Sequence, residues 1–172
     1  MLWVIIAWPK KSDFILNNLF DVIVIGAGAA GLMCAIESAK RNKKVLVLDH
    51  AKKIGEKIRI SGGGRCNFTN LNTHPSKFIS ENPKFMISAL NQYDQYDFIK
   101  LVKSYNIKFH EKKLGQLFCD ESSQQIIDLL LSECEKHQVR INKEFIVEGI
   151  YHSSELYNVK SVDHLLSCQS LV

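Results

Sequence analysis

Asp21-Val-Ile-Val-Ile-Gly-Ala-Gly-Ala-Ala-Gly31 decides the fold of this chain. A short apolar run leads into glycines at Gly26, Gly28 and Gly31, and a helical pattern follows from about Ala29 to Lys40. A second apolar run, Val45 to Leu48, ends on Asp49. This order of strand, glycine turn, helix, strand and terminal acid is that of a dinucleotide-binding βαβ unit, and it predicts an α/β, Rossmann-like fold built on a parallel sheet. Gly26 is expected to allow the tight turn, Gly28 to let a pyrophosphate approach the backbone, and Gly31 to let the helix pack closely on the sheet. The helix N-terminus supplies unpaired N–H groups and the positive end of its dipole. Asp49 is placed to accept hydrogen bonds from the hydroxyls of the adenosine ribose, which disfavours a 2′-phosphate there. Both apolar runs lack alternation, as expected of central parallel strands covered on two faces.

The chain has 172 residues, of which 46% are apolar and 23% charged, with a net charge of +4. That is the composition of an ordinary globular protein with room for a core. The cations are scattered apart from Lys52, Lys53, Lys57, Arg59 and Arg65. Without interleaved aromatics or a known module, this cluster is read as lying near the cofactor or simply solvated, so no nucleic-acid partner is expected. Cys34, Cys66, Cys119, Cys134 and Cys168 form no CxxC pair and no zinc spacing, which fits a reducing, cytoplasmic setting and no metal. Leu2 to Trp8 is apolar but too short to span a bilayer, and the lysines at Lys10 and Lys11 follow it instead of preceding it. Residues 1–20 are therefore read as an N-terminal extension, with no membrane partner.

Further along, His50 to Phe78 reads as a long loop rich in glycine and basic residues. Helices are predicted over Pro83 to Gln92, Asp94 to Tyr105 and Glu121 to His137. The last has Ile126, Ile127, Leu130, Leu131 and Cys134 on its buried face. Short strands are predicted at Ile107 to His110, Gln116 to Cys119, Val139 to Ile141, Phe145 to Tyr151 and Leu156 to Val159.

A second motif lies inside the loop: Lys57-Ile-Arg-Ile-Ser-Gly-Gly-Gly-Arg-Cys-Asn-Phe-Thr-Asn70. Three consecutive glycines can present successive N–H groups as a concave anion nest. Arg65 adds a planar donor fork suited to phosphate. Ser61, Asn67, Thr69 and Asn70 add neutral groups suited to a ribose or a heterocycle.

Taken together, Asp21–Gly31, Val45–Asp49, Ile54-Gly-Glu-Lys-Ile58 and Ser61–Asn70 resemble a bacterial family of FAD-containing flavoproteins, the aminoacetone-oxidase-like or BaiN-like NAD(P)/FAD-dependent oxidoreductases. The resemblance implies FAD as cofactor, hydride or electron transfer through the flavin, NAD(P)H as reductant and a small-molecule substrate. It implies that Gly26, Gly28, Ala30 and Gly31 line the pyrophosphate and that Asp49 meets the adenosine ribose. Lys57, Gly64, Arg65, Cys66 and Asn67 would lie along the pyrophosphate towards the flavin, and Val147 would give backbone contacts to the adenine. It further implies an FAD-binding part over 21–78, with 79–172 holding the remaining FAD-domain elements and the start of an inserted α+β domain. Members of the family run to roughly twice this length, beyond the usual single-domain range. The chain is thus expected to be the front part of such a protein, with the strand for which Ser170–Val172 is meant lacking a covering partner. A second polypeptide supplying the rest stays open, as does a catalytically silent fragment with weak or no dinucleotide binding. No side chain is assigned to catalysis. Cys66, beside Arg65, is the one thiol whose pKa that cation could lower.

Overall fold

The computed structural model describes residues 18–172, so the extension expected over 1–20 lies almost wholly outside them. The chain forms two compact units, one of 18–54 with Cys134–Val172 and one of Gly55–Glu133. The boundary between them falls at Ile54/Gly55. The reason lies in the glycine-rich stretch, which packs onto later elements of the second unit. A Cβ on Gly55 would come within 3.0 Å of Ile127, and one on Gly62 within 2.6 Å of Phe118.

The first unit opens with β1 (Leu19–Ile25), α1 (Ala29–Ala39) and β2 (Val45–Leu48). The strand begins at Leu19, two residues before the expected start. Leu32, Ala35, Ile36 and Ala39, spaced three and four apart, form the buried stripe of α1. The helix stops where Asn42 takes a left-handed φ of 59°. All four residues of β2 are buried, as its unbroken apolar run predicts.

The second unit contains α2 (Glu56–Ile60), β3 (Asn67–Asn70), α3 (Phe85–Gln92), α4 (Gln95–Ser104), β4 (Phe109–Glu111) and β5 (Gln116–Cys119). The loop expected over 50–78 thus carries a helical turn and a strand. Both are too short to show a hydrophobic period, and the strand is held by antiparallel pairing with β5 some fifty residues later. The antiparallel sheet runs β3-β5-β4. Asp94 caps α4, accepting from Tyr96 N–H and Asp97 N–H, while the Asp97 carboxylate accepts the Asp94 N–H in return. Helix α5 (Gln124–Lys136) carries Ile126, Ile127, Leu129, Leu130 and Cys134 as its buried apolar residues, with Leu129 buried where Leu131 was predicted and Leu131 only half-buried.

The chain returns to the first unit with β6 (Arg140–Asn142), β7 (Gly149–Ser153), β8 (Leu156–Lys160) and β9 (Leu165–Leu171). The sheet order is β6-β2-β1-β9-β8-β7, with the first four strands parallel and the last two joined antiparallel. Ser170 and Leu171 pair with Val22 and Ile23, and Val172 exchanges backbone hydrogen bonds with Ile23 and Ile25. Strand β9 is thus an internal strand between β1 and β8. The strand predicted over 145–151 is confined to Gly149–Ser153, because Phe145 turns into the core with Ile23, Leu46, Leu48 and Leu166 instead of keeping an extended register. Among the described residues no helix is long and apolar enough to cross a membrane.

Candidate dinucleotide site

In the first unit the carboxyl ends of β1 and β2 meet the start of α1. Gly26 has a φ of +115°, open only to glycine, and its N–H donates to Leu48 O at 2.7 Å, so the turn is tied to the end of β2. Gly28 is the N-cap of α1 in extended conformation, with no side chain capping the helix. The first helical bond runs from Leu32 N–H to Gly28 O, so the N–H groups of Ala29, Ala30 and Gly31 precede the α-helical ladder at the positive end of the dipole. Ala29 and Ala30 are exposed there. The glycines divide by what surrounds them. A Cβ on Gly28 would meet nothing within 4 Å, whereas one on Gly31 would sit 1.9 Å from Gly26 O and 3.3 Å from Val24. Gly31 serves the packing of helix on strand, and Gly28 keeps open the space in front of the helix.

Asp49 does more than its motif suggests. One carboxylate oxygen accepts the Ala27 N–H at 2.6 Å and the other the Ala51 N–H at 2.7 Å, with the side chain 12% exposed. It clamps the glycine turn to the loop after β2, and each oxygen keeps a further lone pair for a ligand hydroxyl. Nothing in the local sequence signals this clamp, since both donors are backbone groups of alanines. Asp49→Asn can accept at only one of the two positions, and its loss is expected at about 1–3 kcal/mol in urea unfolding of the chain. Stability equal to wild type would show that the clamp carries nothing.

Val147 lies in an irregular segment, 143–148, and not in the strand predicted for it. Its flanks are fixed, Phe145 N–H donating to Asp49 O at 2.9 Å and Glu148 N–H to Lys160 O at 2.8 Å. The Val147 N–H and C=O themselves make no hydrogen bond among the described residues. Beside it, Asn142 to Ile146 and Ser161 to His164 line an open depression of about 490 Å³. The His164 ring stacks on Phe145 there, with centroids 6.1 Å apart.

The remaining candidates belong to the second unit. Lys57 is exposed on α2, whose N-cap Gly55 has a left-handed φ of 70°. Gly62, Gly63 and Gly64 follow with φ of 57°, 68° and 86°, three left-handed residues in succession. Ser61 O closes this turn by accepting the N–H groups of Arg65 and Cys66. A Cβ would meet nothing at Gly63 or Gly64. Arg65 is exposed and makes no ion pair among the described residues. Asn67 is exposed on β3, and its amide nitrogen, in the orientation that satisfies it, reaches Thr69 O at 3.1 Å.

Cys66 corrects the sequence reading. It is 5% exposed at a φ of 52°, and burial pushes its thiol pKa up, only partly offset by a hydrogen bond with Ser61. Cys119 is pushed up to about 12, chiefly by burial and further by the neighbouring Cys66. Burial, and not the Arg65 charge, governs the Cys66 thiol and holds it away from the thiolate form. The sequence also gave no weight to His110 and Asp120, whose side chains meet at 2.7 Å across the β4–β5 hairpin. The hairpin register, with His110 opposite Phe118, is the signal that would have found them. Among the described residues no three His, Cys, Asp or Glu side chains gather as a metal-holding group.

A mostly parallel sheet with an uncapped helix behind an open glycine turn, and an acid ending the next strand, defines a Rossmann-like dinucleotide-binding fold. The chain belongs to the HI0933-like protein Rossmann domain family, whose model matches residues 20–172. It is 46% identical over 153 residues to a ribosomal RNA dihydrouridine synthase of Escherichia coli K12, covering 89% of this chain and 38% of that protein. It is 56% identical over 126 residues to the protein of the same name in Haemophilus influenzae, covering 73% of this chain and 31% of that one. The chain thus spans well under half of the curated relatives it matches. Among solved structures, a 3-ketosteroid-delta4-(5alpha)-dehydrogenase of Rhodococcus jostii RHA1 superposes with a TM-score of 0.62 at 15% identity, covering 91% of this chain and 45% of that one. At that identity the likeness is one of fold.

Proposed function

We propose that this protein is a flavin-dependent reductase of uridine in ribosomal RNA and that the residues described here hold FAD. The observation that carries the cofactor reading is the open space at Gly28 in front of the uncapped N-terminus of α1. A packing glycine has neighbours that a Cβ would strike, as Gly31 does; Gly28 has none, and the free N–H groups behind it suit a pyrophosphate. Gly26, Gly28, Ala30 and Gly31 are proposed to hold the pyrophosphate and Asp49 the adenosine ribose, with the unpaired backbone of Val147 offered to the adenine. Lys57, Gly64, Arg65, Cys66 and Asn67 are proposed as cofactor-binding residues of the second unit, with the exposed Arg65 guanidinium as the donor fork for phosphate.

The substrate reading rests on the relatives' names and on identities of 46% and 56%, which give it more support than the broader resemblance to aminoacetone-oxidase-like or BaiN-like enzymes. It departs from the expectation, drawn from composition, of no nucleic-acid partner. Bound FAD supplies a two-electron carrier that NAD(P)H can recharge. Saturating the uracil C5=C6 bond takes up one hydride and one proton. This chain's own part is to bind and orient the dinucleotide.

The test is anaerobic titration of the purified chain with FAD, followed by NADH or NADPH and ribosomal RNA lacking dihydrouridine. Stoichiometric flavin uptake, bleaching by one nicotinamide and dihydrouridine on nucleoside mass spectrometry are expected. Flavin uptake without dihydrouridine would confine the reading to FAD binding, and no uptake would leave the alternative of a catalytically silent fragment.

A further inference from the structure

At the amino ends of β2 and β6, Asn42, Lys43, Lys44, Lys136, Gln138 and Arg140 surround an open depression of about 700 Å³. It lies at the opposite end of the parallel strands from the glycine turn. The local backbone builds it twice over. Helices α1 and α5 each end on a residue of left-handed φ, Asn42 at 59° and Gln138 at 59°, and each then turns directly into a parallel strand. The two helix ends and the two strand starts therefore stand side by side, since Leu46 pairs with Arg140.

Cations at helix C-termini have an ordinary use in balancing the dipole. Two helix ends present roughly one unit of negative charge between them. The depression holds four cationic side chains and no acidic one in its lining. Lys44 is anchored, its ammonium 2.6 Å from Leu19 O and over the Phe20 ring, while Lys43 and Arg140 are exposed and make no ion pair among the described residues. The surplus of positive charge thus exceeds what the helices use. The lining has no Phe, Tyr or Trp on which an unpaired base could stack, and its one aromatic ring is that of His137, against the several stacking rings that a single-strand platform uses. Asn42 and Gln138 add neutral donors and acceptors between the cations. This is the chemistry of a surface that meets phosphates and 2′-hydroxyls and reads no base.

We propose that this depression docks the backbone of double-helical RNA, flanking the nucleotide on which the protein acts. The choice of RNA rests on the function proposed above. The surface itself rests on Lys43, Arg140 and the concavity. Contacts of this kind supply affinity and salt dependence without sequence preference.

The experiment is fluorescence anisotropy of the full chain with a labelled ribosomal RNA hairpin over a range of salt concentrations, without added flavin. The double variant Lys43→Glu/Arg140→Glu is expected to bind roughly tenfold or more weakly, with a salt slope smaller by about two. Lys160→Glu, on β8 outside the depression, is expected to bind as wild type. Equal losses in the double variant and in Lys160→Glu, no loss in either, or no hairpin binding by wild type would each overturn the proposal. So would binding to phosphatidylglycerol-containing vesicles in place of the hairpin. Dihydrouridine formation separates this proposal from the reading beneath it. Product formed by a double variant that still binds like wild type sinks the docking surface and spares the function. Hairpin binding lost in the double variant, with no dihydrouridine made by wild type, does the reverse.

Discussion

Gly31→Ala is expected to unfold the chain or to leave it barely folded. The added Cβ would stand 1.9 Å from Gly26 O, with Gly26 C at 3.1 Å and Val24 Cγ1 at 3.3 Å. The first two are backbone, and the third ends a stiff β-branched side chain. The carbonyl belongs to a turn whose own N–H is bonded to Leu48 O, and Val24 is buried in a central strand. Relief would need α1 to move off the sheet by more than an ångström, and Leu32, Ala35 and Ile36, all at most 1% exposed, would move with it. Overpacking a tight core loses about 1–3 kcal/mol and occasionally more. A clash this deep with a backbone carbonyl belongs at or beyond the top of that range, against a total stability of about 5–15 kcal/mol for a typical domain. Thermal or urea unfolding reads it, and a midpoint unchanged from wild type would show that helix and strand do not approach as described.

The first βαβ unit was legible in the sequence because each of its devices is local. Glycine spacing, an uninterrupted apolar strand and a helical stripe all fit within thirty residues, and each appears where the pattern puts it. The elements that escaped are those that depend on distant partners. Strand β3 exists because Phe118 and Leu117 of β5 lie beside it, and Gly62 is closed in by the same Phe118. Ser170 and Leu171 gain their neighbours from Val22 and Ile23, at the other end of the chain. In the candidate site, the types of the residues were legible and their surroundings were not. Cys66 beside Arg65 suggests an activated thiol until its burial is known, and Asp49 suggests a ribose ligand until its two alanine donors are seen. The basic depression was invisible for a related reason. Lys43 and Arg140 are nearly a hundred residues apart, and only the parallel pairing of β2 with β6 makes them neighbours.

Gly28→Val is expected to separate binding from folding. A Cβ at Gly28 meets nothing within 4 Å, and its φ of −85° and ψ of −175° are comfortable for a β-branched residue. Gly28 makes no capping bond through a side chain, so the helix loses no hydrogen bond, and the loss of stability should be about 1 kcal/mol, the ordinary cost of an apolar residue at an N-cap. The isopropyl group would instead fill the space in front of Ala29, Ala30 and Gly31, where a pyrophosphate must come within hydrogen-bonding distance of the backbone. Displacing the phosphates by an ångström or more would remove several charge-assisted bonds of about 1.5–3 kcal/mol each, which predicts a loss of FAD affinity of a hundredfold or more. The pairing with Gly31→Ala makes the result specific. One glycine should lose the fold and with it the cofactor, and the other should lose the cofactor alone. A Gly28→Val chain that stays folded and still takes up FAD at full affinity would mean that the dinucleotide does not lie against this turn. The assignment of Gly26, Ala30 and Asp49 to the cofactor would then fall with it.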